Sequence, residues 1–445
     1  MVECLGRRIL IDCGMFQGSR ELAEENADPF GFDPRSVDCV LLTHAHLDHC
    51  GRLPLLVKQG FRGEVITTGA SRALARLVLL DAAHLQEEEA RRHLRHARRR
   101  AEDGKAAPLY SVVDALACFE RFGRTAIYGA PLAVAPGLQA TFYDAGHILG
   151  SASILLEFDE TAGRRSILFS GDIGNAGRPL LRAPSPPATA EIIVMESTYG
   201  DRLHRPIGES TAEFYAAITE TFARGGNVVI PTFALERAQE ILYALHQGME
   251  AKTLQPSIQV FLDSPMAISA TEIFERYPED FDPAVARLFG EGQDPLHLPG
   301  LHLARETAES IAINRIAGGV IVMAGSGMCT GGRIRHHLKH NLWRAESSVI
   351  FVGFAARGTL ARQVIDGARQ VKLFGEDIPV RASIHTINGF SAHADQQELL
   401  DWHSRIRGSK MTILVHGEED AMKRLTERLP GQRVEMPRLN EALDL

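Results

Sequence analysis

The sequence lacks the cysteine pattern of a disulfide-rich secreted protein. Its six cysteines are scattered over 445 residues, and no two of them form a C-x-x-C pair. No apolar run approaches the roughly 20 residues that a transmembrane helix needs, and no secretory signal pattern opens the sequence. We therefore expect a reduced, soluble, cytoplasmic protein that has no membrane partner.

The chain also lacks an excess of positive charge. Its 48 Lys and Arg residues are outnumbered by 56 Asp and Glu residues, which gives a net charge of −8. Binding to nucleic acid would therefore have to depend on local clusters of cations. One such cluster is the arginine-rich tract 91–100, at the end of a predicted helix over residues 71–100. This tract could follow a nucleic-acid backbone or form a solvated helix face, and both interpretations stay open.

The length of the chain and the order of its predicted elements indicate two domains. A chain of 445 residues exceeds the size at which a single core stops growing. Short apolar strands alternate with helices through residues 1–200, and a second β-α series follows, with predicted strands at 227–231, 257–262 and 320–324. From about residue 370, side chains of the metal-binding type again follow strand-like segments. The simplest account is one α/β domain interrupted by another.

The most informative stretch is the segment 44–49, which has the pattern H-x-H-x-D-H. It follows the apolar run 40–42, which predicts a buried strand. His44 and His46 can converge as the backbone turns, whereas Asp48 and His49 point towards a second position. Imidazole and carboxylate groups together suit zinc and similar divalent ions. The segment therefore predicts a metal site.

Six further residues share the context of this motif, because each lies at or just after a predicted strand end beside glycine or another small residue. They are Asp12, His147, Asp172, Glu196, His393 and His416. Side chains at such positions meet at one edge of a sheet, where α/β proteins build their sites. A lone histidine is more often structural, but the recurrence of one context beside a metal motif favours a shared site.

These residues lie in motifs that resemble the metallo-β-lactamase superfamily and, within it, the β-CASP nucleases that process RNA. The resemblance is carried by IDCGMFQG, LTHAHLDHCGRLP, DAGHILGS, FSGDIG, ESTYGDR, PTFALERAQE, LDSPMA, GSGMCTGG, GFAARGTL, NGFSAHAD and LVHGE. It implies an α/β fold, namely an αββα metallo-β-lactamase sandwich with an inserted α/β β-CASP domain. The implied boundaries are 1–200 and 369–445 for the sandwich and 201–368 for the insert.

The resemblance implies two Zn²⁺ ions per chain, held by two sets of ligands that share a bridging carboxylate. The sets are His44, His46 and His147 for one ion, Asp48, His49 and His416 for the other, and Asp172 for both. Asp12 would support the site from behind the ligands, and His393 with Glu196 would transfer protons. A histidine that is not a ligand and is held by a carboxylate can protonate a leaving oxygen.

The loop Gly325–Gly332 lies between a predicted strand and a predicted helix. Its glycines let the backbone approach a ligand closely, and the start of a helix favours an anion. Tight packing of strand against helix is the alternative explanation, and Arg237 could equally cap its own helix. Beside the other motifs, we interpret the loop as part of a binding site for RNA phosphates, with Ser326, Gly327, Thr330, Gly331, Gly332, Arg237 and Ser391 as candidates.

The implied function is zinc-dependent hydrolysis of phosphodiester bonds in single-stranded RNA, by exonuclease or endonuclease action. A small-molecule thioester or lactone hydrolase on the same fold is one alternative, and a non-catalytic RNA-binding homologue is another. RNA is expected rather than DNA, because DNA-directed members commonly have valine where this chain has His416. The resemblance is also compatible with a homodimer.

The sequence departs from the family pattern at two kinds of position. Ala355 and Ala361 stand where the family usually has glutamine and glycine, so contacts of the insert with substrate are expected to differ. The family also has an additional first strand ahead of the position of Met1. We therefore expect an in-frame extension of about 12–20 residues upstream, a length set by two ordinary strands and a turn.

Overall fold

The computed structural model describes residues 1–16, 24–100, 107–160, 163–353, 355–429, 431 and 433–445, with the side chains of 96–100 left out. The chain divides into two compact units. Unit 1 comprises Met1–Gly174, Ala183–Arg202 and His393–Leu445, and unit 2 comprises Asn175–Arg182 and Leu203–Ala392. One unit therefore interrupts the other, as the order of motifs indicated. Within the described residues, no helix is both long and apolar enough to cross a membrane.

The first part of unit 1 begins with strands and helices in alternation and ends with a series of strands. Its elements are β1 (Val2–Cys4), β2 (Arg7–Ile11), β3 (Cys39–Leu41), α1 (Leu47–Cys50), α2 (Leu53–Lys58), β4 (Glu64–Thr68), α3 (Gly69–Arg100), α4 (Val112–Phe119), β5 (Phe122–Ala126), β6 (Leu132–Ala135), β7 (Leu138–Asp144), β8 (Ala152–Glu160), β9 (Gly163–Phe169) and β10 (Ile192–Glu196). The strands predicted from the sequence in this part are present, with ends that differ by a few residues.

Unit 2 contributes the next series of elements. They are α5 (Ile207–Ala223), β11 (Val228–Pro231), α6 (Arg237–Glu250), β12 (Gln259–Leu262), α7 (Pro265–Phe274), α8 (Pro283–Gly290), β13 (Leu301–Leu303), α9 (Thr307–Ile313), β14 (Val320–Ala324), α10 (Ile334–Asn341), β15 (Ser348–Phe351), α11 (Leu360–Ile365), β16 (Gln370–Leu373), β17 (Glu376–Pro379) and β18 (Ser383–Thr386). The chain then returns to unit 1 for α12 (Gln396–Ser404), β19 (Met411–Val415), α13 (Glu419–Glu427) and β20 (Arg433–Glu435).

Unit 1 is built on two sheets that face each other. One has the order β1-β2-β3-β4-β5, and the other has the order β20-β19-β10-β9-β8-β7-β6. Leu41 and Ile66 of the first sheet share a buried apolar cluster with Phe142 and Ile154 of the second, so the inner faces of the sheets form the core. Alternation along each strand assigns the other side chains to the outer faces.

Helices cover the outer face of each sheet in unit 1. On the seven-stranded sheet, Leu168 and Ile193 pack with Trp402 of α12 and Leu425 of α13. On the five-stranded sheet, α3 contacts β4 and β5. The layers are therefore helix, sheet, sheet and helix, and the expected αββα metallo-β-lactamase sandwich is confirmed.

Unit 2 is built on a parallel sheet of six strands in the order β13-β12-β14-β11-β15-β18. A parallel sheet with helices on both faces buries every side chain of its central strands, which therefore read as continuous apolar runs. All five residues of β14 are buried, in agreement with this rule. A separate antiparallel hairpin is formed by β16 and β17.

The end of unit 2 differs from the boundary expected at residue 368. Strand β18 pairs in parallel with β15, so it completes the sheet of unit 2, and this unit continues to Ala392. The motif around Ser391 lies across this point, with Ser391 in unit 2 and His393 in unit 1. The sequence did not indicate this, because a short strand carries no signal of which sheet it will join.

Two arginines at the start of the arginine-rich tract of α3 have counter-charges on the same helix. Arg91 forms an ion pair with Glu87 at 2.9 Å, and Arg92 lies 3.7 Å from Glu89. All four side chains lie on one helix at spacings of three or four residues, which is the pattern of a solvated face. For Arg91 and Arg92 this geometry favours the solvated-face interpretation. The side chains of residues 96–100 are not described.

Candidate metal centre

The candidate metal centre lies in unit 1, where strands of its two sheets end. Asp12 follows β2 and His44 follows β3, while Asp172 follows β9 and His416 follows β19. Strands β9, β10 and β19 are parallel neighbours, so the residues after them emerge at one edge of the sheet. The fold therefore brings together side chains that are separated by up to several hundred residues in the sequence.

Three histidines and a carboxylate form a first set of candidate ligands, called the first set below. His46 Nδ1 lies 3.1 Å from His44 Nε2 and 3.2 Å from His147 Nε2. Asp172 Oδ2 lies 3.5 Å from the same Nε2 atoms of His44 and His147. One ligand atom from each of these four residues lies within 4.8 Å of the others, a spacing compatible with a single ion.

A second set of candidate ligands, called the second set below, comprises Asp48, His49 and His416, whose donor atoms also lie within 4.8 Å of one another. Asp172 Oδ1 lies 3.2 Å from His49 Nε2 and 3.3 Å from His416 Nδ1. His416 Nε2 in turn lies 3.5 Å from Asp48 Oδ2. Asp172 therefore presents one carboxylate oxygen to each set.

The residues of this centre fit a metal ion, as two of their atoms show. His49 Nε2 and Asp172 Oδ1 are buried and have no hydrogen-bond partner. Buried polar atoms without a partner are rare and call for an explanation, and a cation between these two atoms would supply one. Nitrogen and carboxylate oxygen are also the donors that zinc accepts. The centre is therefore the site of a metal cofactor.

The protonation of the first set also suits a cation. Burial lowers the pKa of His46 to about 3, and the neighbouring His44 adds to the effect. Burial likewise lowers the pKa of His44 and takes that of His147 well below its usual value. The three imidazoles are thus neutral at physiological pH, so their lone pairs are available to a metal.

The second set has the opposite protonation. The Asp172 carboxylate raises the pKa of His416 to about 9, against the opposing effect of burial. Burial alone would lower the pKa of His49, but the carboxylates of Asp172 and Asp12 outweigh it and hold that pKa well above its usual value. Without a metal, protons on these two imidazoles therefore compensate the charge of Asp172.

Asp12 lies behind the second set and orients one of its histidines. Its carboxylate accepts hydrogen bonds from Thr43 N at 2.7 Å and from Thr43 Oγ1 at 2.8 Å, and lies 2.7 Å from His49 Nδ1. A proton on Nδ1 leaves Nε2 as the atom that faces Asp172 and a metal. Sequence reasoning missed Thr43, although it is the residue immediately before the histidine motif.

Two glycines allow the loops of the centre to approach one another. A Cβ atom on Gly14 would overlap the carbonyl oxygen of Asp48, and a Cβ atom on Gly174 would overlap that of Gly146. Gly174 thereby permits the chain after Asp172 to lie against the loop that carries His147. These contacts explain why glycine follows the acidic residues at both strand ends.

His393 lies beside the ligand sets and is held by Glu196. His393 Nδ1 is 3.1 Å from Glu196 Oε2 and 3.9 Å from Asp172 Oδ2. Its ring centroid is 4.5 Å from that of His147. Burial would lower the pKa of His393, but the carboxylates of Glu196 and Asp172 outweigh it and raise the pKa above its usual value.

Glu196 is itself held in place by two donors. Ile173 N donates to its Oε1, and Thr198 Oγ1 donates to its Oε2 at 2.6 Å. Donor atoms of Glu196, Asp172 and His416 also lie within 4.8 Å of one another, so these three residues form a third group that could hold a metal ion. Because both of its oxygens already accept hydrogen bonds, the geometry favours a role in orienting His393. Thr198 was not identified from the sequence, although it lies in the same motif as Glu196.

The candidate phosphate-binding loop lies in unit 2, between β14 and α10. Ser326 Oγ lies 3.3 Å from Thr330 Oγ1, and Gly331 N donates to Ser326 Oγ at 3.4 Å. A Cβ atom on Gly332 would overlap the carbonyl oxygen of Gly325, so the loop closes on itself. The loop therefore has the strand–loop–helix context that the sequence predicted, and its contact with phosphate stays a prediction.

The other two candidates for phosphate binding are buried. Arg237 Nη1 forms an ion pair with Glu240 Oε2 at 2.6 Å, and Glu240 also pairs with Arg178. Ser391 is 8% exposed and lies after a short 3₁₀ turn. Since the charge of Arg237 is engaged by a buried carboxylate, this arginine is a weaker candidate for phosphate binding than the loop.

The fold and the centre together define a metallohydrolase of the metallo-β-lactamase type. Three family models match the chain: the metallo-beta-lactamase superfamily over residues 5–104, the Beta-Casp domain over 238–364, and the Zn-dependent metallo-hydrolase RNA specificity domain over 377–437.

Similar proteins cover nearly the whole chain. It is 41% identical to ribonuclease TTHA0252 of Thermus thermophilus over 98% of this chain and 94% of that protein. It is 32% identical to transcription termination factor FttA of Methanocaldococcus jannaschii over 94% of this chain and 64% of that protein. An RNase J-like protein of the same archaeon is 30% identical over 94% of this chain and 88% of that protein. The chain therefore belongs to the β-CASP family of the metallo-β-lactamase superfamily.

The contacts of Asp12 predict that replacing Asp12 by Asn weakens metal binding. The amide of asparagine has no charge, and its NH2 group donates hydrogen bonds where the second carboxylate oxygen of Asp12 accepts them. The contacts that orient His49 would therefore be lost. Removing a partner that orients a ligand typically costs 10–100-fold in metal affinity. We expect a loss of this size in zinc titrations of the folded variant. Asp159→Asn, at an exposed position of β8, is the matched control, and equal affinities for both variants would contradict the role of Asp12.

Proposed function

We propose that this protein hydrolyses phosphodiester bonds in single-stranded RNA with two zinc ions. One ion would be held by the first set and one by the second set, with Asp172 shared between them. The observation that carries this proposal is the His393–Glu196 pair, which lies beside both sets. It places next to the centre an imidazole whose pKa is raised by the carboxylates of Glu196 and Asp172, and the departure of an alkoxide requires such a proton donor.

The names of the similar proteins support the choice of substrate. One relative is called a ribonuclease, another is called RNase J-like, and the third matching domain is described by its RNA specificity. His416 also occupies the position where DNA-directed members commonly have valine. We therefore propose RNA as the substrate rather than DNA or a small ester.

The two metals and the chain have different tasks in this proposal. Bound zinc ions would lower the pKa of a coordinated water molecule and neutralise charge on the phosphate. His393 would supply the proton to the leaving oxygen from Nε2, because Glu196 engages its Nδ1. The Gly325–Gly332 loop would bind a backbone phosphate through its N–H groups.

The substrate is tested by incubating the zinc-loaded protein with matched single strands of RNA and DNA, each labelled at one end. We expect cleavage of RNA that is faster than cleavage of DNA and that stops when a chelator removes the metal. Labelling at the 5′ end and at the 3′ end in separate reactions distinguishes exonuclease from endonuclease products. Equal rates on the RNA and DNA strands would contradict the proposed substrate.

The number of metals is tested through its dependence on pH. His416, with a pKa of about 9, must release a proton before its nitrogen binds zinc. Each pH unit below that value then weakens zinc at the second set about tenfold per displaced proton. His46 is already neutral above about pH 3, so zinc at the first set does not compete with a proton there.

We therefore expect two zinc ions per chain near pH 8.5 and preferential loss of one near pH 6. Metal analysis after dialysis, together with zinc titrations at both pH values, measures this. A single ion at both values would contradict the two-metal proposal, as would equal pH dependence of the two binding steps.

The role of His393 is tested by comparing two histidine variants. His393→Ala should keep its zinc and its RNA affinity but lose about 10²–10⁴-fold in turnover, the usual contribution of general acid catalysis. His416→Ala should instead lose zinc. His84→Ala, at an exposed position of α3, is the control and should behave as the unaltered protein does. If His393→Ala empties a metal position, the assignments of His393 and His416 are reversed.

A further inference from the structure

The turn between β16 and β17 contains an aromatic residue where the backbone favours a small polar one. Phe374 has a φ of +52° and Gly375 a φ of +84°, and the turn is closed by the pair Leu373 and Glu376. Two-residue hairpin turns with positive φ at both positions strongly prefer Asn-Gly or Asp-Gly. A bulky residue in this region is an outlier. The turn between β1 and β2 has the same form, with Leu5 at a φ of +50° and Gly6 at a φ of +68°. The backbone of such a turn therefore does not select phenylalanine, and the surroundings of Phe374 carry the argument.

The ring of Phe374 is exposed and flanked by groups from α10. The residue is 47% exposed. Its ring stacks with that of His336 at 4.4 Å between centroids and 24° between planes. The guanidinium carbon of Arg335 lies 5.0 Å from the Phe374 centroid. Phe374, His336 and Arg335 thus form a row of planar groups at the surface of unit 2. Without these neighbours, the exposed ring of Phe374 would face only water.

The segment 333–344, which contains α10, is locally positive in a chain whose net charge is −8. Residues 333–344 contain Arg333, Arg335, Lys339 and Arg344 and no acidic residue. Arg333 is engaged by Asp263 at 2.7 Å and Lys339 by Glu376 at 2.6 Å. Among the described residues, Arg335 has no ion-pair partner, and its Nε is buried without a hydrogen bond.

The histidines of the same helix experience this positive charge. Burial lowers the pKa of His336, and the charges of His337, Lys339 and Arg335 lower it further. The pKa of His340 is lowered by burial and then by Lys339. The local positive potential that disfavours protonation of these histidines also attracts phosphate.

We propose that Phe374, Arg335 and His336 form a stacking platform for single-stranded RNA. The platform adjoins the Gly325–Gly332 loop, because α10 begins two residues after that loop. A base would stack on the aromatic and guanidinium planes, and Arg335 would contact a phosphate. Proteins bind single strands by this combination of stacking surfaces and cations. The inference rests on the proposed function and assigns that function a second RNA contact in unit 2.

The turn geometry provides a variant that separates binding from stability. Phe374→Asn replaces the ring by the residue that this turn prefers, so the melting temperature should stay the same or rise. Stacking of one base on an aromatic side chain corresponds to roughly 5- to 150-fold in affinity. In the zinc-loaded His393→Ala protein, we expect Phe374→Asn to weaken binding of a labelled single-stranded RNA by that factor, measured by fluorescence anisotropy.

Ile311→Asn is the matched control, because it removes another exposed apolar side chain of unit 2. It should leave RNA affinity unchanged. A second measurement uses Arg335→Gln, which should reduce the slope of log affinity against log salt by about 0.7, the value for one phosphate contact on a single strand.

Three results would overturn the platform, and they differ in what else they overturn. If the parent protein binds RNA and Phe374→Asn binds it equally well, the platform is wrong and the proposed function stands. If that variant keeps its RNA affinity but changes its elution on size exclusion, the surface is instead a contact between protein chains. If the parent binds no single-stranded RNA, the proposed function fails together with the platform.

Discussion

The centre of unit 1 depends on one buried carboxylate. Asp172 is 2% exposed, and four histidines from three other segments of the chain lie within 3.5 Å of its two oxygens. Burial would raise the pKa of Asp172, but His416 and His49 outweigh that effect and hold it well below its usual value. A buried charge is tolerated only when partners compensate it. Cations, whether protons or metals, are therefore required at this point of the fold.

The two sheets meet this requirement by their geometry. Parallel strands end at the same edge, so short loops after β3, β9, β10 and β19 deliver side chains to one place without long connections. Asp12 engages Nδ1 of His49, and Glu196 engages Nδ1 of His393. In each imidazole, Nε2 is therefore the nitrogen left for metal binding or proton transfer. A rigid sheet edge supports precise ligand positions better than free loops do.

Strained or crowded backbone recurs at the proposed functional positions. Asp12 and His416 both have positive φ values, 59° and 51°, at the strand ends that carry the metal centre. Phe374 shares this feature on the surface of unit 2. Residues other than glycine adopt such conformations at a cost, which is retained where the surrounding structure enforces it and function uses it. Leu5, Lys252 and Asn440 share this feature without an assigned role, so it accompanies these sites and does not define them.

Local patterns indicated the α/β class, the metal motif and the residues that follow strand ends, because apolar periodicity and ligand spacing can be read from neighbouring residues. The sandwich with its inserted domain was implied by the family resemblance. Local patterns did not indicate that β18 joins unit 2 or that Arg237 is buried against Glu240. They also did not indicate that Thr43 holds the carboxylate of Asp12 and Thr198 that of Glu196. The pairing of β18 and the bond from Thr43 to Asp12 join distant segments. The contacts of Arg237 with Glu240 and of Thr198 with Glu196 are local, but the burial of these side chains by the surrounding fold is not a local property. The stacking of His336 on Phe374 was likewise decided only by tertiary structure, since it joins a helix to a hairpin turn that no local pattern connects.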